Sequence, residues 1–405
     1  MLTFEQARTV ILDSVSPCGM EQVELLASLG RTLAEDIRAP WDLPAADNSA
    51  MDGYALRAAD CRETPVRLRV IGQIAAGGEL TTAVSSGCAI KIMTGARIPT
   101  GCDAVVPVEE TETLDGYVII KETVRRHQHI RFKGEDVREG ETVIEAGRVI
   151  RPAEISMLAS CGRALVPLFR KPRVAILSTG DELVELGEPA PPGMIINSNA
   201  FSLAAAVREA GAEPVLLGIA RDSREELRLK MAEGLKADAF ITSAGVSAGD
   251  HDHVRELLAE LGVEQQFWKV AMKPGGPTAF GLRDGRPVFS LPGNPVSTLV
   301  TFELFVRPAL LRMMGRRRVI RSMVKVTLAE EFKKKAGKAQ FIRLRLDREG
   351  KGFSGRSSGD QNTGILKTML LADAMALLPV ERTVFTVGEE VDAFLLGVES
   401  GMGEK

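Results

Sequence analysis

The residues with the clearest chemical potential lie in the stretch 240–252, whose sequence is FITSAGVSAGDHD. Its apolar start predicts a buried strand, and a loop of small residues separates that strand from a predicted helix. Backbone N–H groups of such a loop favour an anion. Asp250 and Asp252 at the end of the loop would repel a bare phosphate. The stretch therefore indicates a site for a phosphate ester that carries a metal ion.

Other loops of small and polar residues also follow predicted strands of the same region. They span residues 178–182, 221–222, 272–277 and 291–297. Ligands of open α/β sheets bind outside the carboxyl ends of the strands, so these loops together favour a binding site at one edge. A single loop of this kind would indicate only a tight turn. No stretch resembles a GxxxxGK[ST] or GxGxxG fingerprint.

Side chains in these loops suggest roles. Glycine and serine residues allow the backbone to approach a phosphate, and Lys269 and Lys273 can neutralise its charge. Glu182 and Asp222, like the two aspartates of the first loop, suggest Mg²⁺ or sugar hydroxyls as partners.

The elements that must position these loops alternate from Lys171 onward. Strands are predicted at 173–177, 214–219, 238–242, 264–270 and 287–291, and helices at 198–210, 223–235, 251–261 and 295–314. The pattern predicts a parallel, doubly wound α/β domain of about 150 residues.

The remaining regions predict smaller modules. Residues 1–37 should be helical, with a second short helix near residues 21–26. Residues 65–120 are rich in predicted strands, and residues 152–161 predict a helix. The tail from residue 323 returns to strands and suits a small barrel or sandwich.

Composition bounds the class of protein. A chain of 405 residues should form two to four domains, and its net charge of -3 gives no electrostatic case for nucleic acid. Five scattered cysteines without a CxxC pair favour a reducing compartment, which we expect to be the cytoplasm. The N-terminus lacks the pattern of a signal peptide, and no membrane span is predicted.

Seven motifs carry a family resemblance. In order they are SAMDGYA (49–55), MTGA (93–96), KGED (133–136), STGDE (178–182), TSAGVSAGD (242–250), MKPG (272–275) and LPGNPVS (291–297). The chain resembles the molybdopterin molybdenumtransferase family, which includes MoeA and the gephyrin E-domain. The motifs span nearly the whole chain, and together they are highly specific.

The resemblance implies four domains in an elongated homodimer. Residues 1–46 and 141–171 would form domain I, 47–140 an inserted β-rich domain II, 172–322 the α/β domain III, and 323–405 a C-terminal β-barrel domain IV. The active site would be a cleft between the α/β domain of one subunit and the inserted domain of the other.

The resemblance also implies a reaction. Molybdate is inserted into adenylylated molybdopterin, AMP is released, and Mg²⁺ assists. Implied catalytic residues are Asp52, Thr94, Asp136, Glu182, Asp250 and Asp252, of which Glu182, Asp250 and Asp252 would also hold the metal. Implied substrate-binding residues are Thr179, Gly180, Asp222, Ser243, Gly245, Ser247, Lys269, Lys273, Pro292, Gly293, Asn294, Pro295 and Ser297. A molybdopterin adenylyltransferase would be the upstream donor.

The chain departs from the family pattern at three places. Ala244 replaces the usual glycine of the TSGGVS loop, Gly276 replaces a common lysine, and residues 362–369 match SG.L.SM only loosely. Two alternatives remain: a molybdopterin adenylyltransferase, whose fold resembles the α/β domain, and a non-enzymatic scaffold. The two additional β domains favour the transferase.

Overall fold

The computed structural model describes residues 1–78, 83–245, 253–350 and 352–397. The chain folds as two compact units. The α/β–barrel unit comprises residues 1–34, 147–150 and 165 onward, and the inserted unit comprises residues 35–146 and 151–164. The finer division into four domains stays a prediction.

A six-stranded sheet forms the centre of the α/β–barrel unit. Its strands are β1 (Arg173–Thr179), β2 (Glu213–Ala220), β3 (Ala239–Ser243), β4 (Glu264–Phe267), β5 (Ala279–Arg283) and β6 (Arg286–Leu291), in the order β2-β1-β3-β6-β5-β4. Strands β2, β1, β3 and β6 pair in parallel. Strand β5 is antiparallel to both β6 and β4. Two successive antiparallel pairings restore the direction, so β4 ends at the same edge as the parallel strands.

Helices cover both faces of this sheet, which confirms the doubly wound prediction. They span Ser198–Glu209, Arg224–Gly234, His253–Glu260 and the run Pro295–Thr301, Phe302–Val306 and Arg307–Met313, whose middle segment is π-helical. Side chains of β1 alternate between two hydrophobic clusters, with Val174 and Ile176 in one and Ala175 and Leu177 in the other. Burial on both faces holds the strands, and with them the loops at their ends.

The N-terminal segment differs from its prediction. The helix Phe4–Ser14 begins with a capping box between Thr3 and Gln6, as its sequence pattern favours. The predicted second helix near residues 21–26 is wrong, because Met20–Glu24 is a strand that pairs antiparallel with Leu165–Phe169. Long-range pairing here overrides a weak local propensity.

The C-terminal strands close into a five-stranded barrel. They are Val324–Leu328, Ala339–Glu349, Gly352–Ser357, Ala374–Leu378 and Glu390–Leu395. Closure follows because Ala339–Glu349 pairs with Gly352–Ser357 on one side and with Ala374–Leu378 on the other. The short strand Met272–Lys273 pairs in parallel with Ala339–Glu349, so a loop of the α/β sheet is fixed against the barrel.

A curled six-stranded sheet forms the inserted unit. Its strands are Gly53–Leu56, Val66–Ile74, Cys88–Ile92, Ala104–Pro107, Thr111–Leu114 and Tyr117–Ile120. Shorter elements of this unit are the strand pairs Ile37–Arg38 with Thr142–Ile144 and Asn48–Ser49 with Ile130–Arg131, the turns Ala58–Cys61 and Val108–Glu110, and the helix Pro152–Ser160. Shorter elements of the other unit are Leu26–Ser28, Leu183–Val184 with Ile195–Ile196, Phe332–Lys333 with Val384–Phe385, and Lys367–Leu370. Throughout the described ranges, no helix has both the length and the apolarity needed to cross a membrane.

Candidate active site

The loop after β1 folds one carboxylate back over a glycine. Gly180 has φ +140°, and its N–H donates to the carbonyl oxygen of Ala220 at 3.2 Å. A Cβ built on Gly180 would lie 2.3 Å from Oε2 of Glu182. Any larger residue at this position would displace the end of the Glu182 side chain, so the glycine leaves room for this carboxylate over the loop.

The loops after β3 and β6 are tied together by a side chain that the sequence analysis missed. Asn199 Nδ2 donates to Ser243 Oγ at 3.1 Å and to the carbonyl oxygen of Gly293 at 2.7 Å. The N–H of Ala244 donates to the carbonyl oxygen of Leu291 at 3.0 Å. The asparagine lies in the first turn of the helix Ser198–Glu209, and its position in the sequence Asn-Ser-Asn was the available signal.

The backbone turns sharply at the end of β3. Ala244 has φ +78° and Gly245 has φ +73°. A Cβ on Gly245 would lie 2.3 Å from Val254 Cγ2 and 3.2 Å from Thr179 Oγ1. The loops after β1 and β3 therefore meet at Gly245. The sequence departure at Ala244 places an alanine in the left-handed region, where strain is expected at functional sites.

The last part of this loop lies outside the described residues. Ser247, Asp250 and Asp252 belong to it, so their predicted roles stay predictions. Glu182 is the one predicted metal ligand that the structure describes. Outside the two stretches 79–82 and 246–252, position 351 and the end of the chain, no three His, Cys, Asp or Glu side chains are grouped to hold a metal ion. The described ligands alone therefore do not form a magnesium site.

Polar groups continue along the same edge at the end of β2. The N–H of Asp222 donates to Asp181 Oδ1 at 3.0 Å. Arg221 Nη1 donates to the carbonyl oxygens of Asp181 and Leu183 at 2.9 and 2.8 Å. These bonds join the β2 loop to the β1 loop and leave the Asp222 side chain exposed. Its contact with substrate stays a prediction.

Both predicted lysines lie after β4 and are exposed. Lys269 lies two residues past the end of the strand. Lys273 lies in the short strand that pairs with the barrel, where its register partner is Gln340. The pairing places Lys273 beside the barrel.

The loop after β6 is held between the sheet and the barrel. Asn294 Nδ2 donates to Thr363 Oγ1 at 3.0 Å, and the N–H of Val296 donates to the carbonyl oxygen of Thr363 at 3.3 Å. Thr298 Oγ1 donates to the carbonyl oxygen of Pro292 at 2.6 Å. Pro292 and Ser297 are buried, whereas Gly293 and Asn294 are exposed and Pro295 is half-buried. The predicted LPGNPVS residues thus form a fixed, partly open turn.

An arginine of the barrel strand Ala339–Glu349, on the face away from the barrel core, is a second feature that the sequence analysis missed. Arg343 is fully buried. Its Nε donates to Thr368 Oγ1 at 2.9 Å, and its Nη2 donates to the carbonyl oxygens of Asp360 and Asn362 at 3.2 and 3.3 Å. Its Nη1 is buried without a hydrogen-bond partner among the described residues. Burial lowers the pKa of this guanidinium, and the nearby Asp360 acts in the opposite direction. A buried donor left unpaired beside the 362–363 turn is a candidate contact for an anion.

The inserted unit brings its predicted residues together in a separate cluster. Asp52 Oδ1 accepts bonds from the N–H of Thr94 at 2.7 Å and from its hydroxyl at 2.8 Å. These bonds, first the one from the N–H and then the one from the hydroxyl, hold the pKa of Asp52 below its ordinary value. The N–H of Gly95 also donates to the carbonyl oxygen of Ser49 at 2.8 Å. The SAMDG and MTGA motifs are therefore joined by hydrogen bonds, which favour the ionised form of the exposed Asp52.

The KGED motif lies beside this cluster. The strand Ile130–Arg131 that precedes it pairs with Asn48–Ser49, which precedes Asp52 in the chain. Asp136 lines a cavity of about 480 Å³ together with Arg131 and Asn48. The side-chain oxygen of Asn48 is buried and, within the described residues, has no hydrogen-bond partner. The cavity therefore offers groups of both signs to a polar ligand.

The α/β sheet, its clustered loops and the closed barrel define a multidomain α/β protein whose polar loops gather at one sheet edge. The chain matches three family models, described as MoeA N-terminal region (domain I and II), Probable molybdopterin binding domain, and MoeA C-terminal region (domain IV). The matches cover residues 2–162, 175–312 and 325–396.

Proteins of known sequence or structure are similar to this chain over most or nearly all of its length. A molybdopterin molybdenumtransferase of Haemophilus influenzae is 36% identical over 96% of this chain and 98% of its own length. The molybdopterin molybdenumtransferase 2 of Mycobacterium tuberculosis is 39% identical over 86% of this chain and 89% of its own length. Two structures of the molybdopterin biosynthesis MoeA protein of Pyrococcus horikoshii superpose with TM-scores of 0.85 and 0.83 at 33% and 31% identity, covering 98% of this chain and 100% of theirs. The chain belongs to the MoeA family of molybdopterin molybdenumtransferases, which are enzymes of molybdenum cofactor biosynthesis.

Proposed function

We propose that the chain transfers molybdenum from molybdate to adenylylated molybdopterin and releases AMP. The names of its relatives support this assignment. The observation that carries it is the interlocked β3 and β6 loops, which Asn199 joins. The buried Arg343 bonds to the carbonyl oxygen of Asn362, next to the Thr363 that holds the β6 loop. Such an arrangement fixes the small residues and the Ser243 hydroxyl of the two loops at the sheet edge, as the preorganised binding of an oxyanion or phosphate requires.

Roles follow from the positions of the side chains. The small residues Thr179, Gly180, Ser243, Gly245 and Gly293 admit the phosphoanhydride close to the backbone. The exposed Lys269 and Lys273 neutralise charge on the phosphates or on molybdate. During turnover water cleaves the phosphoanhydride bond, so that AMP leaves and a terminal phosphate remains on the pterin. Two Mo–S bonds to the dithiolene replace Mo–O bonds of molybdate, and the displaced oxygen leaves as water with the thiol protons.

A divalent cation, Mg²⁺, belongs to the proposal. Glu182 is the described carboxylate that would hold it, together with Asp250 and Asp252. When bound, the cation would offset the negative charge of the phosphates. Titration of the apo-protein with Mn²⁺, followed by the paramagnetic relaxation of water protons, should detect a site that Glu182→Gln weakens.

A shared active site in a homodimer is also proposed, with the α/β domain of one subunit acting with Asp52, Thr94 and Asp136 of the partner subunit. The pKa of Asp52, lowered by Thr94, keeps that carboxylate charged for this role. Equal amounts of inactive Asp52→Asn chains and inactive Ser243→Trp chains should regain, when mixed, up to a quarter of the activity of the same amount of wild type. Half of the dimers would then be mixed, and each mixed dimer would have one intact site of two. Unchanged inactivity, with mixed dimers verified by mass spectrometry, would place all groups of a site in one subunit.

The assignment itself is tested with adenylylated molybdopterin, Mg²⁺ and molybdate, with AMP measured by chromatography. AMP release should depend on molybdate. A parallel reaction contains tungstate in place of molybdate and measures which oxyanion the protein prefers. Consumption of ATP with free molybdopterin would instead identify this chain as a molybdopterin adenylyltransferase. In the proposed function that activity belongs to a separate protein, which supplies the adenylylated molybdopterin. Activity in neither assay would support a scaffold. The protein is expected to act in the cytoplasm, in agreement with its five unpaired cysteines.

A further inference from the structure

A basic cavity lies beside Lys273, where the α/β sheet meets the barrel. It has a volume of about 630 Å³. Its charged and polar lining, called here the lysine pocket, consists of Lys273, Lys333, Lys334, Lys335, Lys338 and Gln340. Within the described residues that line it, no side chain is acidic. Five ammonium groups around one cavity repel one another, so an anion in the cavity would stabilise them.

The fold sets the position of the pocket. Met272–Lys273 pairs in parallel with Ala339–Glu349, and this pairing brings Lys273 against the loop that carries the other four lysines. Lys334 Nζ donates to the carbonyl oxygens of Lys338 and Val380 at 3.0 and 3.4 Å. Lys334 therefore braces the loop from within, while Lys333, Lys335 and Lys338 remain exposed.

Neighbouring carboxylates offset only part of this charge. Glu331 lies 2.5 Å from Lys333, in a pair whose two side chains are both well exposed. Burial lowers the pKa of Lys334, and Glu381 raises it. Exposed pairs of this kind hold their partners weakly, which leaves the pocket positive.

The lining also restricts the chemistry of the ligand. Besides the lysines it contains Ala336, Gly337 and Gln340, and none of the described lining residues is aromatic. Nothing in the pocket would therefore stack on an adenine or a pterin ring. Ammonium groups are compact point charges on flexible stems, so they select for charge and not for a planar shape.

We propose that the lysine pocket captures a free tetrahedral oxyanion dianion, of the molybdate class, and holds it next to Lys273. The inference rests on the proposed function, because it supplies the inorganic substrate of that reaction. A concave site of one charge sign raises the local concentration of an oppositely charged substrate. The pocket is separate from the β3 and β6 loops and shares Lys273 with the substrate set.

Direct binding to the full-length protein tests this inference. Molybdate is the probe, and equilibrium dialysis at fixed ionic strength is read by metal analysis. The test variant combines Lys333→Gln, Lys335→Gln and Lys338→Gln, and it leaves Lys334 and Lys273 in place. We expect the Kd for molybdate to rise roughly tenfold, since three charges that attract the dianion are removed.

A matched control removes the same charge elsewhere. It combines Lys121→Gln, Lys236→Gln and Lys325→Gln, whose side chains are 51%, 71% and 61% exposed. This control should bind molybdate within twofold of wild type. Equal loss in the control, or wild-type affinity in the pocket variant with a native circular dichroism spectrum, would overturn the inference.

Two further measurements separate the ligand from its alternatives. Sulfate should displace molybdate, because the pocket recognises charge; failure to compete would locate molybdate elsewhere and contradict the inference. Preferential binding of AMP at the same lysines would also contradict it. If the binding pattern holds but wild type shows no molybdate-dependent AMP release, the proposed function fails and the pocket stands. If release occurs but the pocket variant binds normally, only the pocket fails.

Discussion

Ala244→Gly tests the geometry of the candidate site directly, because Ala244 has a left-handed backbone with φ +78°. That conformation costs an L-residue about 1–2 kcal/mol, which glycine does not incur. Glycine gives back about 0.7 kcal/mol through the entropy of the unfolded chain. Loss of a half-buried methyl group removes roughly 0.4 kcal/mol more. We therefore expect the free energy of unfolding to rise by about 0.4 kcal/mol.

The sign of the change is compared with a matched substitution. Ala205 is exposed in the helix Ser198–Glu209, where alanine to glycine costs about 1 kcal/mol. Urea unfolding at equal m-values should place the two variants on opposite sides of wild type, separated by about 1.4 kcal/mol. If Ala244→Gly lowers the midpoint as much as Ala205→Gly, the strain argument is wrong.

A double-mutant cycle extends the test to function. A Cβ built on Gly293 would lie 3.1 Å from the Cβ of Ala244, which is closer than ordinary van der Waals contact. Gly293→Ala alone should therefore push the β3 and β6 loops apart and slow molybdate-dependent AMP release. In the Ala244→Gly background the contact is absent, so the same substitution should have a smaller effect. Additive effects on activity would show that the two loops do not touch as described.

Other predictions concern single groups. Gly245→Ala should lower the free energy of unfolding by about 2–3 kcal/mol, because its Cβ would lie 2.3 Å from Val254 Cγ2 at φ +73°. Adding Val254→Ala should recover part of this loss, as urea unfolding can measure. An unchanged midpoint in Gly245→Ala would contradict the packing. Thr94→Val should raise the pKa of Asp52 toward its ordinary value of 3.8, as NMR titration can measure. Since the folded pKa is the lower one, the stability from Asp52 is present above the unfolded pKa and is lost as pH falls through the folded value, so wild type should resist acid better than the variant. Burial raises the pKa of the Cys61 thiol to about 11, so iodoacetamide at pH 8 should label it slowly until urea exposes it; rapid native labelling would refute its burial.

Regular patterns explain which parts of the fold could be predicted. The alternation of apolar strands and helices after residue 171 gave the doubly wound sheet, since burial on both faces demands it. Strand β5 was missed because its pairing depends on the tight turn at Asp284 and Gly285. The sequence near residues 21–26 predicts a helix, whereas Met20–Glu24 is a strand whose partner lies more than 140 residues away. Such long-range partners leave no local signal.

Side chains that act through tertiary contacts were missed for the same reason. Arg343 and Arg345 occupy equivalent alternate positions in the sequence FIRLRL, yet only Arg343 is fully buried. Periodicity assigns both to one face and cannot say which of them the 360–362 turn covers. Asn199 likewise has the appearance of an ordinary residue near a helix start until the sheet places Ser243 and Gly293 within its reach.

The stretch of loosest resemblance illustrates how a contact can persist without a motif. Thr363 stands where the SG.L.SM pattern has serine, and either residue offers a hydroxyl. That hydroxyl accepts from Asn294, and the Thr363 carbonyl accepts from the N–H of Val296. The second bond requires only backbone. One bond needs a hydroxyl and the other needs no particular side chain. Residues 362–369 can therefore hold the LPGNPVS turn although they depart from the SG.L.SM pattern. The weak match here therefore does not remove the contact, since a threonine hydroxyl and a backbone carbonyl supply both bonds.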